Sequence, residues 1–356
     1  MKKKVISIIC VVAMLAMLVG VAGCAADEPA PAPPPAEAAE PAPIAAAATA
    51  DATGHAVFAG PQDFVVGFSI KNMHNPYLIA MNRTMDEMAA YFGYELFTLN
   101  AGGDAVQQLM DVEDLIAMGV DVVVMDAQDP VAAIAKGELI ANAGIPLFLL
   151  NASVDPATIF VTIVQSNNTG LGVAVGEWVA DQMTGTDIRV GLLSGNPGNM
   201  TGYARRTGFI IGMAERQLEQ FNSTNFLVRT QGWGNWSAEV GMESAEDMLV
   251  AAPDINVIFA ENDAMAMGAI TAVRNAGREG EVIIVGIDGM WDALELIEEG
   301  LYGATGVNSP IELVRMAMRI MVDYMTGVER NIPTIINTTP GLVHAGNVHA
   351  HWDTAF

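Results

Sequence analysis

The sequence predicts an α/β protein made of two doubly wound parallel-sheet lobes. Short apolar runs of strand length alternate with longer segments of helix length along almost the whole chain after Asp63. Sustained alternation of this kind is typical of parallel sheets that carry helices on both faces. Ten predicted strands fall into two runs of five, which indicates two similar lobes.

Two of the predicted strands, 257–260 and 282–287, are short continuous apolar runs, as expected for strands that are buried on both faces. The strands of the first run span residues 64–70, 95–99, 120–126, 146–151 and 160–164. Those of the second run span residues 189–193, 226–230, 257–260, 282–287 and 304–307.

Helices are predicted between these strands. They span residues 77–92, 105–118 and 131–143 in the first half, and 172–183, 201–220, 238–250, 264–276, 291–298 and 311–326 in the second. Gly93, Gly119 and Gly144 follow the first three helices, at the position where a left-handed glycine commonly ends a helix.

The stretch 257–289 is the clearest unit of the pattern, with the order strand, turn, helix, strand, turn. Polar residues follow its two strands, Asn262 after the first and Asp288 after the second. Ligands of doubly wound sheets bind outside the carboxyl ends of the strands. An amide and a carboxylate at that edge predict hydrogen bonds to a hydroxylated ligand.

The first 61 residues differ in composition from the rest of the chain. Lysines at positions 2–4 precede an apolar stretch, 5–19, that is too short for a comfortable membrane span. Residues 21–24, Val-Ala-Gly-Cys, form a lipobox, which predicts a lipoprotein signal peptide over 1–23 and a diacylglycerol on the Cys24 thiol. An ordinary secretory signal with a chance cysteine is the alternative. The alanine- and proline-rich segment 24–61 predicts a disordered tether.

The formal net charge of −25 excludes several classes of partner. Nucleic-acid binding needs a basic surface, and so does attraction to anionic lipid. We therefore expect the acyl group alone to hold the protein at the membrane. The acidity indicates solubility rather than calcium binding, because no D-x-D-x-D-G loop is present.

The segments FAENDAMAMGA and IVGIDG resemble those of the type I periplasmic sugar-binding proteins, the ribose-binding-like solute receptors of ABC importers. The resemblance runs from about Asp63 to about Asn347. It implies two lobes joined by a three-crossing hinge, with crossings near Ser166, Asn308 and Pro340. The lobes would comprise 62–166 plus 309–339, and 167–308 plus 340–356.

In the first lobe, Asn75-Pro76-Tyr77-Leu78 follows the first predicted strand. A helix start explains this segment locally, because proline suits the first helical position. The resemblance implies more, since an Asn-Pro-aromatic-aromatic motif lines the ligand in the family. Asn75 would then reach ligand hydroxyls and Tyr77 would stack on a sugar ring, whereas Leu78 departs from the second aromatic.

Asn151 and Ala152 stand where ribose receptors carry an Asp-Arg pair. Without the charged pair, the site lacks strong charge-assisted hydrogen bonds to ligand hydroxyls, and this argues against ribose itself as the ligand. We expect Asn151 to contribute a neutral hydrogen bond.

In the second lobe, Arg205 lies in the first turns of a helix, where a cation opposes the helix dipole. A guanidinium offers a planar set of donors for two vicinal oxygens, and the resemblance places Arg205 on the ligand. Arg206 is expected to face solvent or a carboxylate. The resemblance also implies that Trp236 stacks on the ring opposite Tyr77 and that Asn308 bonds the ligand beside the hinge.

Lys71, Gln128 and Trp291 also follow strands and are secondary candidates. His344, His349 and His351 suggest either a metal site or, with more weight, a polar tail. The sequence contains no phosphate-binding or dinucleotide-binding glycine motif and no G-x-S-x-G or H-E-x-x-H motif. We therefore expect no enzyme activity, no cofactor and no metal.

These observations predict a lipid-anchored monomer on the outer side of the cell membrane. It would capture a monosaccharide or similar polyhydroxylated solute between its lobes and deliver it to an ABC permease. The main alternative is a receptor that presents its ligand to a chemotaxis protein or a membrane kinase. A sugar-responsive transcription regulator would need a basic helix-turn-helix segment, and a nicotinamide-dependent enzyme would need a glycine fingerprint after the first strand.

Overall fold

The structure is a computed structural model that describes residues 62–185 and 187–356. The predicted signal peptide 1–23, the lipidation site Cys24 and the tether 24–61 lie outside the described residues. All of the described residues belong to the same compact unit. Among the helices of this part of the chain, none is both long enough and apolar enough to span a bilayer.

The described residues form twelve strands and nine α-helices. In chain order these are β1 Val65–Ile70, α1 Pro76–Phe92, β2 Glu95–Asn100, α2 Ala105–Met118, β3 Val122–Met125, α3 Ala133–Asn142, β4 Leu147–Leu150, β5 Thr162–Ser166, α4 Asn168–Gln182, β6 Ile188–Ser194, α5 Met200–Phe221, β7 Phe226–Trp233, α6 Ala238–Ala251, β8 Val257–Ala260, α7 Asp263–Asn275, β9 Ile283–Asp288, α8 Trp291–Glu298, β10 Ala304–Val307, α9 Pro310–Met325, β11 Ile335–Thr338 and β12 Leu342–His344.

Two six-stranded sheets organise these elements. The strand order is β11-β5-β4-β3-β1-β2 in the first sheet and β12-β10-β9-β8-β6-β7 in the second. All pairs are parallel except β10 with β12. Chain order reverses direction at β1 and at β6, so each sheet is doubly wound. The predicted fold class is confirmed.

The chain crosses between the sheets three times. It passes from β5 of the first sheet to α4, which packs against α5 and the second sheet. It returns from β10 to α9, which packs against α1 and the first sheet. It crosses again between β11 and β12. We refer to the first sheet with α1, α2, α3 and α9 as the first lobe, and to the second sheet with α4 to α8 as the second lobe.

Two strands and one helix start differ from the sequence prediction. The unpredicted strands, β11 and β12, are only four and three residues long and add an edge to each sheet. Their segments, IINT and LVH, lack the apolar run by which buried strands were identified. Helix α4 begins at Asn168 rather than at 172, because the Asn167 side chain caps it by accepting a hydrogen bond from the Gly170 amide.

Both faces of each sheet are covered by apolar clusters, which explains the continuous apolar runs. In β3, Val122 and Val124 face a cluster shared with α1 and α9, and Val123 and Met125 face a cluster shared with α2 and α3. The second sheet is covered in the same way, by α6, α7 and α8 on one face and by α4 and α5 on the other.

Helices α4 and α5 approach each other through glycines. A Cβ atom added to Gly176 of α4 would lie 2.2 Å from the Phe209 carbonyl oxygen of α5, and one added to Gly172 would lie 2.1 Å from that of Arg205. Gly208 and Gly212 of α5 approach the α4 backbone equally closely. This contact of backbone with backbone therefore fixes where α5 places Arg205.

We expect Gly176→Ala to lower the free energy of unfolding by about 1–3 kcal/mol, because the added methyl group must push two backbones apart. Helix propensity alone would raise it by about 1 kcal/mol. Thermal and urea unfolding measure the difference, with the exposed neighbour Glu177→Ala as the control. An unchanged or raised stability of Gly176→Ala would contradict the packing described.

Candidate functional site

A cavity of about 470 Å³ lies between the lobes at the carboxyl ends of both sheets. Its first-lobe wall comes from the segments that follow β1, β2, β3 and β4. Its second-lobe wall comes from the ends of β6, β7, β8, β9 and β10 and the segments after them. The volume is within the range of small-molecule sites, and the location is the one expected for a ligand of a doubly wound sheet.

The structure brings together all nine of the main residues that the sequence analysis proposed for ligand binding. The residues that line this cleft include Asn75, Tyr77, Leu78, Asn151, Arg205, Trp236, Asn262, Asp288 and Asn308. Their contact with a ligand stays a prediction, but their convergence from both lobes makes the cleft the candidate functional site.

Asp288, the last residue of β9, accepts hydrogen bonds from two other buried residues of the cleft. Its Oδ1 atom lies 3.1 Å from Arg205 Nη1 and accepts a hydrogen bond of 2.8 Å from Asn308 Nδ2. All three residues are at most 3% exposed. Arg205 also donates to the Glu261 carbonyl at 2.6 Å and to Asn168 Oδ1 at 2.9 Å. These acceptors offset the unfavourable position of Arg205 near a helix N-terminus.

The same chain of hydrogen bonds continues into the first lobe through Asn308. Asn308 Oδ1 accepts from the Tyr77 hydroxyl at 3.2 Å and from the Ser166 hydroxyl. Burial raises the pKa of the Tyr77 hydroxyl, so this group stays protonated and remains a donor. Tyr77 therefore links its lobe to Asp288 by hydrogen bonds, a role that the sequence did not indicate.

Two of the asparagines predicted to bind the ligand also start helices. Asn75 Oδ1 accepts from the Leu78 amide of α1, and Asn262 Oδ1 accepts from the Met265 amide of α7, both at 3.0 Å. Asn262 Nδ2 donates to the Trp236 carbonyl at 3.3 Å. The helix-start interpretation of Asn75 is thus correct, and the cap still leaves its amide nitrogen as a donor.

Unusual backbone conformations concentrate at the cleft. Five described residues other than glycine have positive φ, and four of them line the cleft: Asn151, Asn235, Trp236 and Asp288. A φ of 60° is a genuine outlier for a residue as bulky as Trp236. Strained residues of this kind cluster at ligand sites, at a cost of about 1–3 kcal/mol each.

The Trp236 ring occupies the space that a side chain at position 195 would fill. A Cβ atom added to Gly195 would lie 2.0 Å from Trp236 Cε2, so the ring packs directly on the Gly195 backbone. Since Gly195 follows β6, the position of this aromatic wall is set by the end of a sheet strand.

Asp126 is a buried carboxylate that contacts two residues of the cleft, Lys71 and Asn151, and that the sequence analysis missed. Its carboxylate is fully buried, 3.5 Å from Lys71 Nζ and 3.3 Å from Asn151 Nδ2. Burial raises the pKa of the Asp126 carboxyl, and the Lys71 ammonium opposes this rise. Asp126 directly follows β3, so the rule that identified Asp288, a polar residue at a strand's carboxyl end, could have found it. The first lobe therefore has a charged pair, although positions 151 and 152 do not supply it.

The secondary candidates separate into two groups. Lys71 and Gln128 line the cleft, and within the described chain nothing donates a hydrogen bond to the buried Gln128 Oε1. Trp291 does not line the cleft: it is 48% exposed and its ring lies 4.4 Å from that of Trp352.

Two further buried carboxylates support the second-lobe wall. Asp263 accepts from the Tyr302 and Thr305 hydroxyls and the Gly289 amide at 2.7 Å, and from the Met290 amide at 2.9 Å. It therefore fixes the turn that follows Asp288. These partners come from distant segments, so no local pattern indicated this role.

Glu261 accepts from the Gly195 amide at 2.8 Å and from Arg206 Nη1 at 2.9 Å. Arg206 therefore faces a carboxylate, one of its two predicted environments.

Two of the three tail histidines contact different partners. His349 Nδ1 lies 3.0 Å from Glu298, and His344 Nδ1 accepts from the Gly346 amide. Over residues 62–185 and 187–356, no group of three or more His, Cys, Asp or Glu side chains is arranged to hold a metal ion.

Comparison with known proteins gives a consistent result. The family model for the periplasmic binding protein domain matches residues 66–329. The chain is 29% identical over 267 residues to the ribose import binding protein of Bacillus subtilis (strain 168), a match that covers 75% of this chain and 83% of the relative.

Solved structures extend this likeness to the whole two-lobed unit. A solute binding protein of an ABC transporter from Actinobacillus succinogenes, with bound D-allose, is 27% identical with a TM-score of 0.74, covering 82% of this chain and 100% of that one. One from Bacillus halodurans, with bound myo-inositol, is 26% identical with a TM-score of 0.74, covering 83% and 100%.

We expect Asp288→Asn to change how stability depends on pH. Burial raises the pKa of Asp288 to about 7, the nearby Asp263 carboxylate adds to the rise, and Arg205 opposes it. Between about pH 4 and pH 7 the folded protein thus holds a proton that the unfolded chain has lost, so this contribution to stability falls as pH rises. The stability of Asp288→Asn should not show this decrease. Its free energy of unfolding should therefore increase relative to that of the parent as the pH rises from about 4 to about 7.

Thermal unfolding of ligand-free protein from pH 4 to pH 8 measures this, with the exposed carboxyl variant Asp247→Asn as the control. Parallel pH curves for the parent and Asp288→Asn would contradict the assigned titration.

Proposed function

Since the chain belongs to the periplasmic binding protein domain family, we propose that it captures a monosaccharide or similar polyhydroxylated solute in the cleft and delivers it to an ABC importer. One observation carries the proposal: each lobe has a pair of a buried carboxyl group and a cation, and the cationic side chain of each pair lines the cleft. The pairs are Asp288 with Arg205 in the second lobe and Asp126 with Lys71 in the first.

Each hydroxyl group of a sugar both donates and accepts hydrogen bonds, and the cleft offers partners of both kinds. The Asp288 carboxyl group and the Asn151 side-chain carbonyl offer acceptors, and Arg205 and Lys71 are charged donors. Hydrogen bonds to charged groups are about twice as strong as neutral ones. The planar guanidinium of Arg205 matches two vicinal oxygens, as on a sugar ring.

The C–H surfaces of such a ring would meet apolar side chains from opposite lobes. Trp236 contributes an aromatic face from the second lobe, and Leu78 with Tyr77 contributes an apolar surface from the first. The hydroxyl group of Tyr77 is bonded to Asn308, so its ring orientation is fixed before a ligand arrives. Fixed walls reduce the entropy lost on binding.

The relatives support the class of ligand rather than one member of it. Their names and bound ligands are ribose, D-allose and myo-inositol, all neutral and rich in hydroxyl groups. The expectation against ribose rested on the missing charged pair at positions 151 and 152. Because Lys71 and Asp126 provide a charged pair in the same lobe, D-ribose remains among the candidates. No covalent chemistry is part of this role.

The proposed location is the outer side of the cell membrane. The relatives of this chain include import binding proteins, and this favours delivery of the ligand to a permease over presentation to a sensory partner. We propose that residues 1–23 are removed as a signal peptide, that Cys24 carries the lipid, and that 24–61 tethers a monomeric receptor. The lobes would be 62–166 plus 309–339 and 167–308 plus 340–356.

A thermal-shift assay with D-ribose, D-allose and myo-inositol tests the proposed function. A ligand that binds only the folded protein raises its stability by about 2.7 kcal/mol at a hundredfold excess over Kd. We expect at least one of the three to raise Tm by roughly 5 °C. No shift with these three or with a wider set of pentoses, hexoses and inositols would refute sugar capture.

Arg205→Lys should weaken binding of that sugar by about tenfold or more, because an ammonium keeps the charge but loses the paired planar donors. Calorimetric titration measures Kd. Arg216→Lys is the matched control, since Arg216 lies on the same helix and pairs with Asp181 at the surface. Equal losses in the two variants would remove Arg205 from the site.

Cys24→Ala should release the exported protein from the membrane fraction, because the thioether to the lipid cannot form. Metabolic labelling with a radioactive fatty acid and detergent partitioning measure the anchor. Cys10→Ala should leave labelling unchanged, since this residue lies within the predicted signal peptide. A Cys24→Ala protein that still takes up label would disprove lipidation at this site.

A further inference from the structure

Phe356 has an unusual position among the described side chains. Within residues 62–185 and 187–356, it is the one apolar side chain that packs against core clusters of both lobes. One is the cluster between the first sheet and helices α1 and α9, and the other is the cluster between the second sheet and helices α6, α7 and α8. Phe356 therefore bridges the lobes beside the hinge, and nothing in the ligand-site pattern indicated it.

The segment that carries Phe356 is fixed to the second lobe. The Phe356 carbonyl accepts from the Trp291 amide at the first residue of α8, at 3.1 Å. The Trp352 ring lies 4.4 Å from the Trp291 ring, and Trp352 Nε1 donates to Glu298 Oε1 at 3.2 Å. Contacts at both ends of α8 thus hold this segment in place.

From this anchor the Phe356 ring reaches a residue of the cleft in the other lobe. The centroids of the Phe356 and Tyr77 rings lie 5.7 Å apart, with an angle of 84° between the ring planes. This edge-to-face geometry is favourable and directional. Tyr77 is 7% exposed, so its ring is confined between this contact and the first-lobe core.

The orientation of the Tyr77 ring decides where its hydroxyl lies. That hydroxyl donates to Asn308 Oδ1, while Asn308 Nδ2 donates to Asp288. The side-chain amide of Asn308 can donate a hydrogen bond only from its nitrogen. A hydroxyl that donates to the amide oxygen therefore selects the orientation in which the nitrogen faces Asp288. The Phe356 ring is thus connected through Tyr77 and Asn308 to the central carboxylate of the cleft.

We propose that Phe356 is a positioning residue for the ligand site, which holds the Tyr77 ring so that its hydroxyl fixes the Asn308 amide against Asp288. The proposal rests on the proposed function, because Asp288 is one of the ligand's hydrogen-bond acceptors there. Phe356 itself need not touch the ligand, since it is not among the residues that line the cleft.

The test uses Phe356→Leu, which keeps an apolar side chain against both cores but removes the aromatic edge. Phe64→Leu is the matched control: Phe64 is also a half-buried phenylalanine on the first-lobe cluster, but it stacks on Tyr94. Tyr77→Phe removes the hydroxyl that Phe356 is proposed to position, and the double variant Phe356→Leu with Tyr77→Phe completes a cycle.

The first measurement needs no ligand. The purified protein is labelled with 3-fluorotyrosine, and the Tyr77 ¹⁹F resonance is assigned as the one absent from Tyr77→Phe. We expect this resonance to shift or broaden in Phe356→Leu and to stay in place in Phe64→Leu. An unmoved Tyr77 resonance in Phe356→Leu would overturn the proposal.

The second measurement is the calorimetric Kd for whichever of D-ribose, D-allose and myo-inositol gives the largest thermal shift. Phe356→Leu should weaken binding about fivefold or more, and Phe64→Leu less than twofold. The double variant should bind about as weakly as Tyr77→Phe alone, whereas losses that multiply would overturn the proposal. If none of the three binds the parent protein, the proposed function fails in this form, and the ¹⁹F measurement still decides whether Phe356 holds Tyr77.

Discussion

Asp288 is 3% exposed at the carboxyl end of β9, and a carboxylate so far removed from water requires charged or hydrogen-bonding partners. The partners come from three parts of the chain: Arg205 from α5, Asn308 from the hinge, and Tyr77 through Asn308 from the first lobe. Several surrounding contacts hold these groups at hydrogen-bonding distance from one another. The glycine contact of α4 with α5 sets the backbone at Arg205, and Asp263 fixes the turn after Asp288.

Several residues of the cleft have a structural and a proposed ligand role at the same time. Asn75 and Asn262 cap the helices that follow their strands, and their positions at the strand ends also place them in the cleft. The two roles arise together, because a helix that follows a parallel strand begins at the sheet edge where ligands bind. A cap at such a position is therefore compatible with ligand binding rather than an alternative to it.

The two lobes use the same chemistry with different residues. Each has a buried carboxylate just at or after a central strand, Asp126 after β3 and Asp288 at the end of β9, and each carboxylate has a cation beside it. The pairs differ in exposure, because Lys71 is 21% exposed at its side chain whereas Arg205 is 4% exposed. The guanidinium of the second-lobe pair is thus shielded from water, whereas the ammonium of the first-lobe pair is partly exposed.

The sequence by itself determined ten of the twelve strands, the helices between them and the strand ends at which polar residues meet the cleft. These features follow from local periodicity, since buried parallel strands are continuous apolar runs with a fixed direction. Asp126 was within reach of the same rule and was overlooked.

Only the tertiary structure decided which side chains pair. Arg205 and Asp288, Lys71 and Asp126, and Tyr77 and Phe356 are each distant in sequence, and no local pattern encodes their contacts. The sequence pattern did not predict the short edge strands β11 and β12 either, because these strands form by hydrogen bonding to the neighbouring strand of each sheet. Pairings of this kind depend on how the lobes pack across the hinge, which is a property of the whole fold.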